Sequence, residues 1–472
     1  MNPADEEGNV RAGIGIRQGI ASLALCCTVA VLQAQAPAAS PMEQQFQAAM
    51  AAQDKGDLVR AESLLLALHA HHPGLFAVEE SLGLLYVAQE KYQQAIPFLQ
   101  SAAQAQPSSD VAHANLGAAY YKLHRNPLAL REFQTASRLN PRNAETQQAL
   151  GRLWMEANNP ASASTAFLAA LQLKPDDPDL CMAAAQSLQD AGKSDAAKSV
   201  LAAMPGVDQS APAQSLLGDI EEKLGNVQQA GKHYQRAVEL DPSEPNVWML
   251  GVELLRHWTF AAAAQEFEAA AKQFPQSRRM QLGLGAAYFG NGSYASAIPV
   301  FAGLLDADPN NALYAELLGM SCTAVMQEAR PRCTSLQSYA LAHPRDARAA
   351  VYASAQILQG SPTQQQLQLA HRMLQSAIDA DPKLADARFQ MGVLQQAQGD
   401  WPASIPSLQA ALRLKPDLAA AHYRLALAYW RAGRKPEAQA EMKLQQKYYR
   451  QQQDDLDQRL RQITTFLVDV RH

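Results

Sequence analysis

The chain has 472 residues and a formal net charge of −5, from 40 Lys+Arg against 45 Asp+Glu. That near-balance, with no Lys/Arg run long enough to follow a phosphate backbone, excludes a basic nucleic-acid-binding surface. Hydrophobic residues make up 48% but aromatics only 7%, the mix of alanine-rich helical packing, and the length is too great for one ordinary core.

The N-terminus differs from everything after it. No charged residue occurs from Gln18 to Met42, and Gly19 to Leu32 is apolar, preceded by Arg11 and Arg17 and followed by small residues up to Ser40. Residues 1–40 are therefore expected to be a secretory signal peptide, cleaved after Ala38 so that the mature chain starts at Ala39. Asp5, Glu6 and Glu7 are unusual in the basic region of such a leader and suggest a true start downstream of Met1. The alternative is an uncleaved anchor, with membrane association through residues 19–36. The expected location is accordingly exported, periplasmic or cell-envelope associated, with inner-membrane anchoring as the alternative.

From residue 41 the chain repeats. Pro73, Pro107, Pro141 and Pro175 are thirty-four residues apart; after one blurred unit come Pro242, Pro275, Pro309, Pro344, Pro382 and Pro416. Ten residues after the prolines stands a small residue (Gly83, Gly117, Gly151, Ala185, Gly285, Gly319, Gly392, Ala426). Twelve further on comes alanine, then a large apolar residue such as Leu99, Phe133, Phe167 or Phe301. A fixed period of this length means stacked supersecondary units. The small residues predict close helix approach, with the large ones filling the seam. Gly56, Gly192, Gly225, Gly292, Gly399 and Gly433 stand where a first helix must stop. Asn126-Pro127, Asn159-Pro160 and Asp400-Trp401-Pro402 read as capped starts of second helices.

Three units depart from the pattern. Residues 176–208 lose the terminal proline, although Pro205 is nearby. In 310–344 the alanine of the second helix is replaced by Pro331, which predicts a late or distorted helix. In 345–382 the spacing grows, and Ser361 is expected to cap a helix beginning at Pro362. Pro97, Pro299 and Pro406 also fall inside second helices.

The run Val111-Ala-His-Ala-Asn-Leu-Gly-Ala-Ala-Tyr-Tyr-Lys-Leu, followed by Ala129-Leu-Arg-Glu-Phe-Gln-Thr-Ala-Ser-Arg-Leu-Asn-Pro141, resembles the tetratricopeptide repeat (TPR) family. The resemblance covers about twelve repeats over residues 41–449. It implies an all-α, right-handed superhelical solenoid of helix-turn-helix units and a protein-interaction scaffold whose first helices line a partner-binding groove. The matching groove positions lie three before, one after and four after each small residue. In the C-terminal half they are Trp248, Val252, Leu255, Leu282, Phe289, Phe389, Val393, Tyr423, Leu427 and Trp430. In the middle they are the polar Gln186, Gln189, Asp219 and Glu222. Some of these side chains can equally pack against neighbouring helices.

Residues 450–472 leave the repeat. Leu456, Leu460, Ile463, Leu467 and Val470 are spaced four, three, four, three, a seam on one helical face. This predicts a capping helix over the last repeat, or else a short coiled coil that makes a homodimer.

Signals for chemistry are weak. Gly283-Leu-Gly285 with Gly290 has the wrong spacing for a nucleotide loop, and the repeat already explains Gly285. His69, His71 and His72 have no carboxylate or cysteine beside them in sequence, so no metal is expected; nor is any cofactor or catalytic residue. Cys26 and Cys27 lie in the leader and leave Cys181, Cys322 and Cys333. Cys322 and Cys333 straddle the turn of one hairpin and can form a disulfide, or remain two buried thiols. The reading is an exported, non-enzymatic scaffold that holds a protein or peptide partner, in assembly or maintenance of the bacterial cell envelope. The rival is a repeat or adaptor subunit of a glycosyltransferase or peptidase complex.

Overall fold

The computed structural model describes residues 40–325 and 333–451. The leader, Pro331 and the seam of 456–470 lie outside the described residues. Among the described residues there are helices and no strand. The chain divides into two compact units, Met1–Pro107 and Ser108–His472.

The described part of the first unit holds α1 (Pro41–Asp54), α2 (Leu58–His71), α3 (Phe76–Ala88) and α4 (Tyr92–Ala105). Ser40 caps α1 and Asp57 caps α2, each accepting a backbone N–H three residues on. A Cβ added at Gly83 would lie 2.4 Å from the Leu99 side chain, so the missing methyl is what lets α4 press onto α3.

The second unit continues in pairs: α5 (Asp110–Lys122) with α6 (Asn126–Leu139), α7 (Ala144–Glu156) with α8 (Pro160–Leu173), α9 (Pro178–Asp190) with α10 (Ser194–Ala202). Then come α11 (Ala211–Lys223) with α12 (Val227–Leu240), α13 (Glu244–Arg256) with α14 (Phe260–Gln273), and α15 (Arg278–Gly290) with α16 (Tyr294–Ala307). The last are α17 (Ala312–Ala324) with α18 (Thr334–Ala342), α19 (Ala347–Leu358) with α20 (Gln364–Ala380), α21 (Ala385–Ala397) with α22 (Trp401–Leu414), and α23 (Ala419–Arg431). A further helical run spans 435–451. The expected small-to-large fit recurs: Phe167 lies against Gly151, Tyr234 against Gly218, Phe267 against Gly251 and Phe301 against Gly285.

The irregular units resolve physically. α10 has only 9 residues, because Pro205-Gly206 stops it and a 3-10 turn, Val207–Gln209, leads into α11. α18 is equally short and starts at Thr334, late as expected. The cap of α20 is Thr363, not Ser361. Thr363 accepts the N–H of Gln366, and the Gln366 side chain accepts the N–H of Thr363, so two free amides are met at once. Asn126 likewise is not a cap; it is the first residue of α6, and its side chain donates to Glu156 of the next pair at 2.6 Å.

The prolines inside α4, α16 and α22 all occupy the sixth helical position. Each removes one helical hydrogen bond. Ala295 and Pro402, four residues before Pro299 and Pro406, are exposed, so water can reach the carbonyls that those two prolines cannot meet with an N–H. At the turn where six units carry glycine, Glu90, His124, Asn158 and Trp258 adopt φ of 54–61°. Those four turns hold non-glycine residues in the left-handed region.

Candidate partner-binding face

Positions three before, one after and four after the small residue are four and three residues apart, so in each first helix they share one face. The structure places the ten apolar candidates unequally. Trp248 is half-buried, tilted against Phe267 at 5.9 Å, and carries the Arg279 guanidinium 4.8 Å above its ring. Val252 and Val393 are half-buried, and Leu255 packs on the core of α12–α15. Leu282 and Phe289 pack against the core that runs from α16 onward, Phe289 edge-on to Tyr294 at 5.2 Å. Phe389 is half-buried against Leu408, Leu425 and Tyr429. Tyr423 and Trp430 are open, at 45% and 59% exposure, with Lys435 Nζ 5.8 Å from the Trp430 ring. Leu427 and Trp430 border a cavity of about 390 Å3, closed on its other side by Ala438, Gln439, Met442 and Lys443.

The polar middle is not an open row. Gln189 is only 3% exposed; it donates to the Asp219 carbonyl at 3.4 Å and accepts from Ser194. Its amide finds two partners inside, so it is a buried link and not a groove side chain. Asp219 accepts the Tyr234 hydroxyl at 2.7 Å, and Glu222 pairs with Arg256 of α13. Burial pushes the Asp219 carboxyl up from its ordinary value, while the Tyr234 hydrogen bond opposes it. Beside them Glu253, 1% exposed, takes Arg256 at 3.1 Å and faces His257 at 3.1 Å. Burial first, and the Glu222 charge second, push Glu253 up to about 7, against the pull of Arg256. Gln186 stays exposed on the rim of a second cavity, also about 390 Å3, that Asp219, Asp241 and Asn246 share.

The histidine group near Pro73 is occupied locally. His69 Nδ1 meets Glu79 Oε1 at 2.7 Å and His71 Nδ1 meets the Ala67 carbonyl at 2.8 Å, so a carboxylate invisible in local sequence does stand beside His69. Among the described residues no group of three His, Cys, Asp or Glu could hold a metal ion, and no helix is long and apolar enough to cross a membrane. Cys322 and Cys333 are buried and joined, with Cα atoms 6.2 Å apart. Sequence reasoning missed Arg279, Arg431 (4.6 Å over Trp401) and the Met442–Lys443 wall, because each meets its ring or cavity from a neighbouring helix. The thirty-four-residue phase was the signal that could have paired them.

Family models described as tetratricopeptide repeat match residues 86–153, 155–220, 211–244 and 249–312, and one described as TPR repeat matches 396–433. The chain belongs to the tetratricopeptide repeat family. No curated protein sequence matches it. Among solved structures this TPR chain is similar to one titled "Structure of Naa15/Naa10 bound to HypK-THB" (16% identity, 85% of this chain and 68% of that one, TM-score 0.42). It is also similar to the APC/C hetero-tetramer Cut9-Hcn1 (14% identity, 87% and 88% covered, TM-score 0.33). A third is YrrB, titled a TPR protein with an unusual peptide-binding site (19% identity, 39% and 94% covered, TM-score 0.36).

Proposed function

We propose that this TPR chain is an exported, non-enzymatic scaffold whose first-helix face, in the C-terminal half, holds an amphipathic helix or extended segment of a partner protein. The observation that carries the reading is the exposure of Tyr423 and Trp430 beside half-buried Phe389, three aromatics at groove positions of adjacent units. Open aromatic surface of this kind marks interaction sites, and aromatics dominate binding hot spots. The apolar leader and the Cys322–Cys333 pair support an oxidising compartment, the periplasm or cell envelope. Affinity capture from membranes with crosslinking tests the reading: Tyr423→Ala, alone and together with Trp430→Ala, is expected to weaken capture at least tenfold, with helicity and melting nearly unchanged. If the substitutions melt the last units, these rings are core and the assignment is wrong.

A further inference from the structure

We infer that the outer face of the helical run 435–451 docks the protein on an anionic lipid surface. Charge is the first observation. Residues 401–451 hold nine Lys/Arg against three Asp/Glu, a net +6 in a chain whose total is −5. Four of the nine, Lys435, Lys443, Lys447 and Arg450, lie in the run itself, and all four are exposed. The inner face of the run is fixed by its contacts. Ala438 is buried, Glu441 meets the buried His422 Nδ1 at 2.5 Å, and Tyr448 stacks on the same imidazole at 5.5 Å. Lys443, Lys447 and Arg450, four and three residues apart, therefore share the opposite, outer face. Leu444 borders that stripe on one side at 37% exposure and Tyr449 on the other at 53%. Both carboxylates of the run are engaged, Glu441 by His422 and Glu437 by Arg434 at 2.9 Å. Among the described residues no carboxylate pairs with the four cations. The repeat does not impose this face, because the second helices α4 and α8 carry no charged residue at all.

A cationic stripe flanked by an aliphatic and an aromatic side chain is the composition of a helix that lies on a membrane surface. The ammonium and guanidinium groups meet anionic headgroups, and their long apolar stems let the helix settle without drawing the charges out of water. Leucine can enter the acyl boundary beside them, and tyrosine suits that depth because its ring is apolar and its hydroxyl polar. From Lys443 to Arg450 the stripe is about 10 Å long, too short to follow a nucleic-acid backbone. An acidic protein segment would seat its apolar side chains in a groove between cations; here the cations occupy the crest of a helix and the apolar groups its flanks. Residues 1–400 hold 28 Lys/Arg against 38 Asp/Glu, so an anionic surface repels the rest of the chain and selects this end. Tyr423 and Phe389 take no part, and the inference goes beyond the partner reading and stands apart from it.

The test is cosedimentation of the purified full chain with vesicles. Strong binding is expected to phosphatidylcholine and phosphatidylglycerol in equal parts, and much weaker binding to phosphatidylcholine alone. Each cation near such a surface gives roughly a fivefold gain, so Lys443→Gln, Lys447→Gln and Arg450→Gln together should weaken binding about hundredfold. Lys443→Arg with Lys447→Arg keeps the charge and should bind as the parent does. Leu444→Ser with Tyr449→Ser should weaken binding but leave its dependence on salt. Arg142→Gln, Lys193→Gln and Arg345→Gln together remove as much charge from exposed sites in other units and should change nothing. Equal binding to the two kinds of vesicle would overturn the inference, as would equal loss in the two triple variants. If the stripe substitutions spare vesicle binding and instead abolish partner capture, an acidic protein segment takes the face in place of lipid. The vesicles hold no protein, so a failure here is separate from a failure of partner capture by Tyr423→Ala.

Discussion

Phe267 sits between two glycines: a Cβ at Gly251 would lie 2.3 Å from its ring and one at Gly283 2.5 Å. The ring is fully buried and has nowhere to move, so Gly251→Ala forces overpacking that costs about 1–3 kcal/mol. That exceeds the ~1 kcal/mol gained by putting alanine for glycine in a helix. At Gly117 the added Cβ would be 3.1 Å from Phe133, a contact that a small shift relieves. Chemical denaturation should therefore show Gly251→Ala destabilised and Gly117→Ala near neutral; equal effects would mean the close approach does not govern packing. Glu253 supplies the pH prediction. Its carboxyl is raised from the ordinary 4.5 to about 7, so the native state favours the protonated form. Its contribution is complete below about 4.5 and is lost as pH rises through about 7, on the order of 3 kcal/mol across that window. Glu253→Gln, neutral throughout, should melt above the unsubstituted protein at pH 8 and close to it at pH 4.5. A constant offset between the two would show that the titration of Glu253 is not responsible.

At the scale of elements, the helix pairs were legible in the sequence because each is specified locally. The small residue, the alanine and the large apolar residue recur at spacings that only a packed helical hairpin needs, as at Gly151 and Phe167. Caps were less legible, since several polar residues compete at each turn. Ser361 and Asn126 looked like caps, but Thr363 wins through its reciprocal bond with Gln366, and Asn126 reaches across to Glu156. The turns at Glu90, His124, Asn158 and Trp258 were missed because no glycine announces the left-handed residue there. The α17–α18 hairpin carries a prediction of its own. Its disulfide closes an eleven-residue separation, for which loop entropy suggests about 2–3 kcal/mol. Replacing both cysteines by alanine should loosen α17 and α18 in hydrogen exchange and leave α5–α8 untouched, because repeats couple mainly to their neighbours. Uniform loosening of the whole second unit would contradict that picture.

For the whole molecule, the repeat family was readable, whereas the exposure of the candidate face was readable only in part. The first-helix positions follow from the period, which put Tyr423 and Trp430 on the same list as Gln189, yet the first two are exposed and the last is buried. Exposure at one repeat position depends on the neighbouring unit's side chains, such as Arg279 over Trp248, and a period cannot report those. The central claim is that partners bind the first-helix face of the C-terminal half. Site-specific photocrosslinking in cells measures this directly, with a photoreactive residue placed at Tyr423 or Phe389, and at exposed second-helix positions Thr165 and Lys272 as comparison. The account predicts a discrete crosslinked protein from Tyr423 and Phe389 and none from Thr165 or Lys272. Crosslinks from the second-helix positions alone would contradict it.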